Sequence, residues 1–574
     1  VEQAQGRWLR SCSAVERMKG IGAGSSRAYA VVARSTTRRI YGLDVCRISA
    51  AASRGLSTGH PGDDYEDGYR VLQRAHSINS GVALSRSSSI GQEEKEQQRK
   101  SKVRSSLMVG DVHNHYSTRE NVNTWRKRPL FARGGRNLTF TSGQEAARLL
   151  VDEVRRRDPY QVDFLQAVEE ASLDVSVTFE TAPKLAWVFK QLMEPERLIT
   201  FRVPWTDDNG NSRINRGYRI QYSSALGQYQ GGIRFHSRLS HGSIRMLGWE
   251  QTLKNAVSGT MFGGARGGSD FDPTVKSEAE KRRFCHSFMN ELGDFVGGNL
   301  DKLSSDIGVG PHELQALYEG FEQNDPEGGD IHDLFGACIN FPEATGFGSV
   351  YFAEAALEDQ GHTLEGKRCV ISGYGMLARS VATKLINKGA LPVAFSDETG
   401  VVVEEHGFSS SDLHSIANIT STQGTLKEYA KANHKQFHDA SSVWERVKGD
   451  LAFTCDIQNE LNSDDAALLA DNGCLAVIET SDRGCTTTAQ EVFAERGVLF
   501  APSKATSCGA TVVSEQDPSL SKDQLDDHLE EHMREVYTMI RDTAERNGKP
   551  GNLRAGANLS AFIRIANSPM YLQK

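Results

Sequence analysis

The segment that most restricts the fold of this chain is residues 367–400, KRCVISGYGMLARSVATKLINKGALPVAFSDETG. It has the pattern of an apolar strand, a Gly-x-Gly-x-x-Ala turn ending at Ala378, an amphipathic helix and a second strand. Glycine at 373 permits a tight turn, and glycine at 375 lets a pyrophosphate approach the helix N-terminus. Asp397, at the end of the second strand, is placed to hold a ribose hydroxyl. The segment predicts a dinucleotide-binding unit; the alternative is a glycine turn in another kind of α/β domain.

Three further apolar strands follow this unit and alternate with helical stretches. They are DLAFT at 450–454, LAVIE at 475–479 and VLFAP at 498–502. Strands that alternate with helices form parallel sheets that are covered on both faces. We therefore predict an α/β fold whose second half is a Rossmann-like, doubly wound domain.

The folded part of the chain is predicted to begin at about Glu145. AARLLVDEVRRRDPYQVDFLQAVEEA has apolar residues at helical spacing and predicts amphipathic helices. Residues 201–225 form two alternating segments around an Asp/Asn/Gly-rich turn, which predicts a β-hairpin. The stretch 227–236 is rich in glycine and predicts the tight end of a strand.

Length, charge and cysteine content exclude several classes of protein. At 574 residues the chain exceeds one ordinary domain, and it lacks the run of about 18 apolar residues that a membrane span requires. Residues 1–146 carry 24 Lys or Arg against 13 Asp or Glu, whereas the remainder carries 42 against 61. The globular part is thus acidic and offers nothing to nucleic acid. Nine scattered cysteines without a C-x-x-C pair predict a reducing compartment, no disulfide framework and no metal site.

The basic charge is concentrated in the predicted leader, residues 1–56. Between Met18 and Leu56 the chain has seven basic residues and a single acid, Asp44. An Arg-rich, Ser-rich and acid-poor segment is typical of a mitochondrial transit peptide; the alternative is a basic tail without a targeting role, on a cytoplasmic protein. Residues 57–145 are polar and are predicted to form a flexible extension.

A glycine-rich region in the first half carries isolated charged side chains. GGARGGSDFDP places Arg266 between two glycine pairs, on what we predict to be a loop where the backbone can crowd a ligand. Asp306 follows 40 residues later in SSDIGVG. A basic group, an isolated acid and an adjacent dinucleotide unit together predict a dehydrogenase cleft.

From about residue 147 to residue 574 the chain resembles the hexameric glutamate dehydrogenases. The matching stretches follow that family's order and include RDPYQVDFLQAV, MEPERLITFRVPW, GGIRFH, GWEQTLKNAV, GGARGGSDFDP, DIGVG, FPEATGFG, GYGMLA, QNEL, APSKA and GANLSAF. The resemblance implies a substrate and oligomerisation domain at 146–343, rejoined by about 530–574, and an NAD(P)-binding domain at 344–529. It also implies an active site between these domains and the reversible oxidative deamination of glutamate to 2-oxoglutarate and ammonia.

Five site residues of that family have identical counterparts here. The resemblance implies that Gln251 and Lys254 bind the substrate α-carboxylate, for which a cation is suited. It implies that Asp306 takes part in proton transfer and that Thr345 lies on the nicotinamide side. Ser514 is the counterpart of the serine that helps to hold the γ-carboxylate.

Other positions keep the surrounding motif but change the functional side chain. The family's γ-carboxylate lysine is Gln230 here, and its catalytic lysine is Arg266. The nucleotide-side asparagine is Met376, and the cofactor-side motifs at 480–486 and 507–510 differ as well.

The two replaced lysines decide which activity we expect. A lysine desolvated in a closed cleft can lower its pKa and exchange a proton, whereas a guanidinium, with a pKa above about 12, cannot. Arg266 could stabilise an oxyanion, but loss of acid–base help costs about 10² to 10⁴ in rate. Gln230 leaves the γ-carboxylate without a charge partner, so we expect glutamate to bind poorly.

Two functions remain open from the sequence. The first is an impaired glutamate dehydrogenase that uses NADP or NAD; Ser396-Asp397 favours NADP, and Met376 weakens or abolishes binding. The second is an inactive homologue that serves as a structural or regulatory subunit of a hetero-oligomer or mitochondrial complex. The expected partners are a homo-hexamer, or a mixed hexamer with an active paralogue, and a small amino-acid or 2-oxo-acid substrate.

Overall fold

The computed structural model describes residues 124–133, 136–324, 329–421, 424–439 and 441–572. The predicted leader and the first part of the predicted extension, residues 1–123, lie outside the described residues. The described chain forms a five-stranded sheet, a seven-stranded sheet and a two-stranded hairpin, with helices packed around them. The predicted α/β class with a Rossmann-like second half is confirmed.

The five-stranded sheet has the order β3-β4-β6-β5-β7. Its strands are β3 Arg197–Thr206, β4 Ser212–Ser223, β5 Gln228–Phe235, β6 Phe262–Ser269 and β7 Asp301–Ser305. β4 is antiparallel to β3 and β6, whereas β5 is parallel to β6 and β7. The carboxyl ends of β5, β6 and β7 therefore lie at one edge. The predicted hairpin is β3–β4, but the stretch 227–236 contains a whole strand, β5, and not only a strand end.

Seven of the α-helices in the described residues accompany this sheet. They are α1 Gly143–Arg157, α2 Val162–Thr181, α3 Leu185–Leu192, α4 His241–Val257, α5 Glu278–Leu292, α6 Pro311–Asn324 and α7 Ile331–Phe335. Two short 3-10 helices occupy Gly293–Phe295 and Ala337–Asn340. Helices α1 and α2 are the predicted amphipathic helices, and the Ser142 hydroxyl caps α1 by accepting from the backbone N–H of Glu145.

The seven-stranded sheet has the order β11-β10-β9-β8-β12-β13-β14. Its strands are β8 Arg368–Ile371, β9 Leu391–Asp397, β10 Gly400–Val403, β11 Gln436–Asp439, β12 Leu451–Thr454, β13 Ala476–Glu479 and β14 Leu499–Ala501. Strands β9, β8, β12, β13 and β14 are parallel, and β10 and β11 add an antiparallel edge. All the strands predicted in this half are present, and every residue of β12 and β13 is buried, as the interior of a parallel sheet requires.

The remaining helices belong to this second half of the chain. They are α8 Ala344–Asp359, α9 Met376–Asn387, α10 Ser410–Ser421, α11 Leu426–Ala432, α12 Val443–Arg446, α13 Ser463–Asp471, α14 Thr487–Arg496, α15 Ser503–Thr506, α16 Gly509–Ser514, α17 Lys522–Arg546, α18 Leu553–Ala566 and α19 Pro569–Leu572. Helix α18 returns to the first half, where Arg564 donates to the carbonyls of Ala256 and Gly259 behind α4. This contact places the end of the chain against the first half.

The glycine-rich segment around Arg266 is a strand, and the prediction of a loop was wrong. β6 lies in the middle of the five-stranded sheet, and every one of its residues is buried. A Cβ atom at Gly264 would lie 2.1 Å from Thr252 Oγ1, and one at Gly267 would lie 2.6 Å from Ile233 Cδ1. The glycines therefore let neighbouring chain segments approach β6 and do not form a ligand loop.

The described residues before the predicted boundary at 145 belong to the fold. β1 Phe131–Arg133 and β2 Arg136–Leu138 form an antiparallel hairpin. Leu130 and Phe140 are buried, and the Trp125 ring packs edge-on against Trp187 at 5.2 Å. The end of the predicted flexible extension is thus part of the core, because its few large apolar residues are packed there.

None of the helices in the described residues is long and apolar enough to cross a membrane. The described cysteines are unpaired and buried. Burial raises the pKa of the Cys508 thiol to about 12, so this residue fills space and is not a reactive thiolate.

Candidate functional site

A buried cluster of charges joins the two sheets at the carboxyl ends of their parallel strands. Arg266 lies on β6, Asp306 follows β7, and Lys254 lies on the last turn of α4. Arg234 comes from the end of β5, and Asp482 follows β13 of the seven-stranded sheet. Carboxyl ends of parallel strands are where ligands bind in α/β folds, so this cluster is the candidate active site.

The first part of the cluster is Asp306 between two arginines. Arg266 Nη1 donates to Asp306 Oδ2 at 2.7 Å. Arg234 holds the same carboxylate in a two-point pair, with Nε to Oδ2 at 2.8 Å and Nη2 to Oδ1 at 3.1 Å. The sequence analysis assigned Arg266 and Asp306 to one cleft, and the structure brings them into contact; the role of Arg234 was not predicted.

The second part of the cluster is Asp482, which reaches in from the other domain. Lys254 Nζ donates to Asp482 Oδ1 at 2.6 Å. Arg266 Nη2 pairs with Asp482 Oδ2, and Arg234 Nη2 lies 3.7 Å from the same oxygen. Lys254, Arg266 and Asp482 are 6%, 4% and 8% exposed. The lysine expected to bind a substrate carboxylate therefore binds a carboxylate of the chain itself.

The charges in this cluster fix its protonation. Burial alone would raise the pKa of Asp306, but Arg234 and Arg266 hold it below its ordinary value. Burial also acts against ionised Asp482, yet Lys254 and Arg266 hold the pKa of that carboxyl well below its usual range. Burial disfavours the charged form of Arg266, but the two carboxylates raise the pKa of the guanidinium. None of these three groups gains or loses a proton near neutral pH.

A second, uncharged cluster surrounds Gln230 on β5. Gln230 Oε1 accepts from Asn255 Nδ2 at 3.1 Å, from Gln251 Nε2 at 3.4 Å and from Thr511 Oγ1 at 3.4 Å. Gln251 also donates to Asn255 Oδ1 at 2.7 Å. The predicted substrate residues Gln230 and Gln251 thus contact each other in a buried network of amides and hydroxyls.

Ser514 is the last residue of α16, and its contact with a substrate carboxylate stays a prediction. Its hydroxyl donates to the Ala510 carbonyl at 2.8 Å, one turn back along α16. Thr511 of the same helix supplies the hydroxyl that reaches Gln230. Asn255 lies in the matching stretch GWEQTLKNAV and Thr511 follows the altered motif at 507–510, but only their contacts with Gln230 show this role.

Arg483 anchors the segment that carries Asp482. Its guanidinium pairs with Glu170 at 2.7 and 3.0 Å and lies 3.4 Å from Glu250. The Arg483 backbone has φ of +55°, a left-handed conformation that a side chain other than glycine adopts at a cost. Asp482 and Arg483, which are adjacent in the segment after β13, therefore both form ion pairs with the first domain.

The Gly-x-Gly turn has the shape of a dinucleotide site. Gly373 has φ of +72°, and a Cβ at Gly375 would meet no atom within 4 Å. Gly375 is the N-cap of α9, and no side chain caps this helix there, so its first N–H groups have no partner within the helix. Ala378 is fully buried and allows α9 to pack closely on the sheet. These residues fit a pyrophosphate.

Asp397 has a structural role that the sequence did not predict. Its Oδ1 accepts from the backbone N–H groups of Thr399 and Gly400, at 2.8 and 3.1 Å, and from the Thr399 hydroxyl. Its Oδ2 accepts from the Leu426 N–H at 2.7 Å and caps α11. Asp397 thus holds the β9–β10 turn, and a ribose could use only the remaining acceptor capacity of Oδ2.

Two further predicted cofactor-side residues lie at helix starts. Met376 is the first residue of α9, beside the glycine turn, and its thioether replaces an amide there. Thr345 lies in the first turn of α8 and is partly exposed. No group of His, Cys, Asp or Glu side chains in the described chain could hold a metal ion.

Comparison with known proteins agrees with this architecture. The profile of Glutamate/Leucine/Phenylalanine/Valine dehydrogenase matches residues 336–571, and that of the Glu/Leu/Phe/Val dehydrogenase dimerisation domain matches residues 195–323. The NADP-specific glutamate dehydrogenase of Giardia intestinalis is 37% identical over 434 residues, which cover 73% of this chain and 97% of that protein. The NADP-specific enzyme of Escherichia coli K12 is 36% identical over 431 residues, 73% and 96% of the two chains.

A solved structure shows that the similarity to glutamate dehydrogenases extends to the fold. The crystal structure of Plasmodium falciparum glutamate dehydrogenase superposes with a TM-score of 0.70 at 34% identity, over 75% of this chain and 94% of that one. The chain belongs to the Glu/Leu/Phe/Val dehydrogenase family.

Proposed function

We propose that this chain is a glutamate-dehydrogenase-type oxidoreductase whose turnover of glutamate is impaired by its own site residues. The observation that carries the proposal is the position of Arg266, held between Asp306 and Asp482. A side chain at this position of the cleft would have to exchange a proton during deamination. Arg266 cannot do so, because two carboxylates stabilise a guanidinium that is already always charged.

The cofactor of the proposed reaction is NADP in preference to NAD. The relatives from Giardia intestinalis and Escherichia coli are named NADP-specific. Gly373, Gly375 and Ala378 would hold the pyrophosphate, and Thr345 would lie on the nicotinamide side. The bound cofactor would supply the hydride acceptor for amine oxidation. We expect weak binding, since the Met376 thioether cannot make the hydrogen bonds of an amide.

The substrate of the proposed reaction is a small amino acid or 2-oxo acid. Lys254 and Gln251 would hold the α-carboxylate, and Gln230 would face the side chain. The Gln230 cluster is neutral, so a side chain with an amide or hydroxyl suits it better than a carboxylate does. The second substrate carboxylate of glutamate would lack a charge partner there.

A second candidate function is that of a non-catalytic subunit in a hexamer with an active paralogue. The observation that favours it is Asp482, whose carboxylate lies on both Lys254 and Arg266. Assembly itself is supported by β3, a ten-residue edge strand. Leu198 on β3 and Ile214 on β4 are 44% and 68% exposed, and a long apolar edge is a surface that another copy can cover.

The proposed location is the mitochondrion, with the cytoplasm as the alternative. It is supported only by the Arg-rich and Ser-rich composition between Met18 and Leu56. Imaging of the full chain and of a chain without residues 1–56 tests it, since only the full chain should enter the organelle.

Steady-state kinetics of the purified chain test the proposed activity. Glutamate and 2-oxoglutarate with ammonia are each supplied with NADP(H) and then with NAD(H). Slow turnover that prefers NADP(H) is the expected result. No turnover with either cofactor favours the non-catalytic subunit, and then mixing with an active family member should give mixed hexamers.

A further inference from the structure

We propose that Asp482 determines the ligand specificity of this site by taking the place of a substrate carboxylate between Lys254 and Arg266. The inference rests on the proposed function, because it assumes that the cleft is the substrate site. It goes further by naming the residue that competes with the substrate for these cations and the class of ligand whose affinity it lowers, small carboxylates.

The geometry at Asp482 is that of a bound carboxylate. One oxygen accepts from the Lys254 ammonium at 2.6 Å, and the other pairs with the Arg266 guanidinium. Two cations that each take one oxygen of the same carboxylate form a two-point anion site. A free substrate carboxylate would need these same donors, so it competes with Asp482 for them.

The charge of the cluster supports the same conclusion. Lys254, Arg266 and Arg234 carry three positive charges, and Asp306 and Asp482 carry two negative charges. Only one net positive charge remains for an incoming anion. Without Asp482 the cluster would have two, so it would attract an anion more strongly, and one bound carboxylate would restore the present charge.

The backbone holds Asp482 in this position at a cost. Arg483 adopts the left-handed φ of +55°, and its side chain is fixed by Glu170 and Glu250. The Arg483 N–H donates to Ser503 Oγ at 3.1 Å. A strained residue held by several ion pairs points to a segment that is built to present its neighbour, Asp482, to the cleft.

Arg266 retains a donor that a ligand could use. Its Nε is buried and, within the described residues, has no hydrogen-bond partner. Both Nη atoms are taken by Asp306 and Asp482. An unsatisfied buried donor beside an anion site is expected where a ligand oxygen or a water belongs.

Chemical rescue tests the proposal without cofactor or turnover. Asp482→Gly removes the carboxylate and leaves room for a small one, and Asp482→Asn removes the charge alone. Asp471→Asn is the matched control, because Asp471 forms an exposed ion pair with Arg496 in the same domain. Thermal unfolding of the full chain is followed in sodium formate and in sodium chloride of equal ionic strength, at one protein concentration.

We expect formate to raise the unfolding temperature of Asp482→Gly more than chloride does. Wild type and Asp471→Asn should respond equally to the two salts. By calorimetry, 2-oxoglutarate should bind Asp482→Gly and Asp482→Asn at least about tenfold more tightly than wild type. If Asp482→Gly does not fold, the affinity of Asp482→Asn for 2-oxoglutarate is compared with that of wild type.

Equal affinity of wild type and both variants for 2-oxoglutarate would overturn the proposal. An Asp482→Gly protein whose unfolding temperature is the same in formate and in chloride would also overturn it. Failure of the proposed function is a separate result. In that case formate still rescues Asp482→Gly, but no variant turns over glutamate.

Discussion

The Asp482 carboxylate accepts a hydrogen bond of 2.6 Å from the Lys254 ammonium, although the two residues lie 228 positions apart in the chain. The contact joins the end of β13 in one domain to α4 in the other. It ties the cleft together and neutralises the lysine on which carboxylate binding would depend.

A buried ion pair between β4 and β7 of the five-stranded sheet should contribute strongly to the free energy of unfolding. Arg219 and Asp301 have fully buried side chains, with Arg219 Nε 2.9 Å from Asp301 Oδ2. Asp301→Ala would leave a buried guanidinium unpaired, so we expect the free energy of unfolding to fall by about 3–5 kcal/mol. Asp471→Ala, in an exposed pair, should cost at most about 1 kcal/mol. Denaturant unfolding of both variants measures this; equal effects would contradict it.

The ion pair of Glu170 and Arg483 should make stability depend on pH at the acid end. Burial disfavours ionised Glu170, but Arg483 outweighs it and lowers the pKa of Glu170 from 4.5 to about 2. A carboxyl with a depressed folded pKa stabilises the protein above pH 4.5, and this contribution is lost as the pH falls toward about 2. The stability difference between wild type and Glu170→Gln should therefore be largest above pH 4.5 and shrink below it.

Unfolding in denaturant at several pH values checks this prediction. A difference between wild type and Glu170→Gln that stays constant from neutral pH down to about 3 would show that the pair does not set the acid dependence.

The pyrophosphate of the cofactor should occupy the open space beside Gly375 in the glycine turn. A methyl group there would contact no protein atom, so Gly375→Ala should leave stability unchanged within about 0.5 kcal/mol. The same methyl group would obstruct a pyrophosphate and should weaken NADPH binding at least about tenfold. Met376→Asn should strengthen NADPH binding, because it restores an amide at this position. Fluorescence titration with NADPH measures both, and an unchanged affinity of Gly375→Ala would place the cofactor elsewhere.

The chain should assemble into hexamers. Its first domain matches the family's dimerisation domain at 195–323, and the β3 edge is long and partly apolar. Light scattering should give a mass six times the 63.1 kDa of the chain. Ile214→Lys, on the exposed end of β4, should weaken assembly if that surface is the interface, whereas Asp471→Asn should not. A stable monomer at micromolar concentration would contradict the prediction.

The sequence predicted those parts of the molecule whose signals are local. Residues 367–400 combine apolar runs, a glycine turn and a helix within one short segment, and the structure has each of these elements. The β6 strand was missed because four of its eight residues are glycine, which gives no alternation of side chains.

The cluster at the site depends on contacts that no local pattern encodes. Asp482 belongs to a stretch whose difference from the family was visible, but its partners Lys254 and Arg266 are more than 200 residues away. Arg234 and Thr511 likewise acquire a role only through the pairing of distant strands and helices. The contacts among side chains in the cleft between the two domains therefore could not be predicted from the sequence.

We propose that Arg266 and Gln230 limit glutamate turnover. Arg266→Lys returns a group that can exchange a proton in the cleft, and Gln230→Lys returns a charge partner for the γ-carboxylate. Each change alone leaves the other defect, so we expect a non-additive gain when they are combined.

The measurement is kcat/KM for glutamate in wild type, the two single variants and the double variant Arg266→Lys/Gln230→Lys. We predict slow turnover by wild type and a double variant that exceeds the product of the two single gains. Wild-type turnover of about 10 s⁻¹, a typical enzyme rate, would show that Arg266 and Gln230 do not limit the reaction.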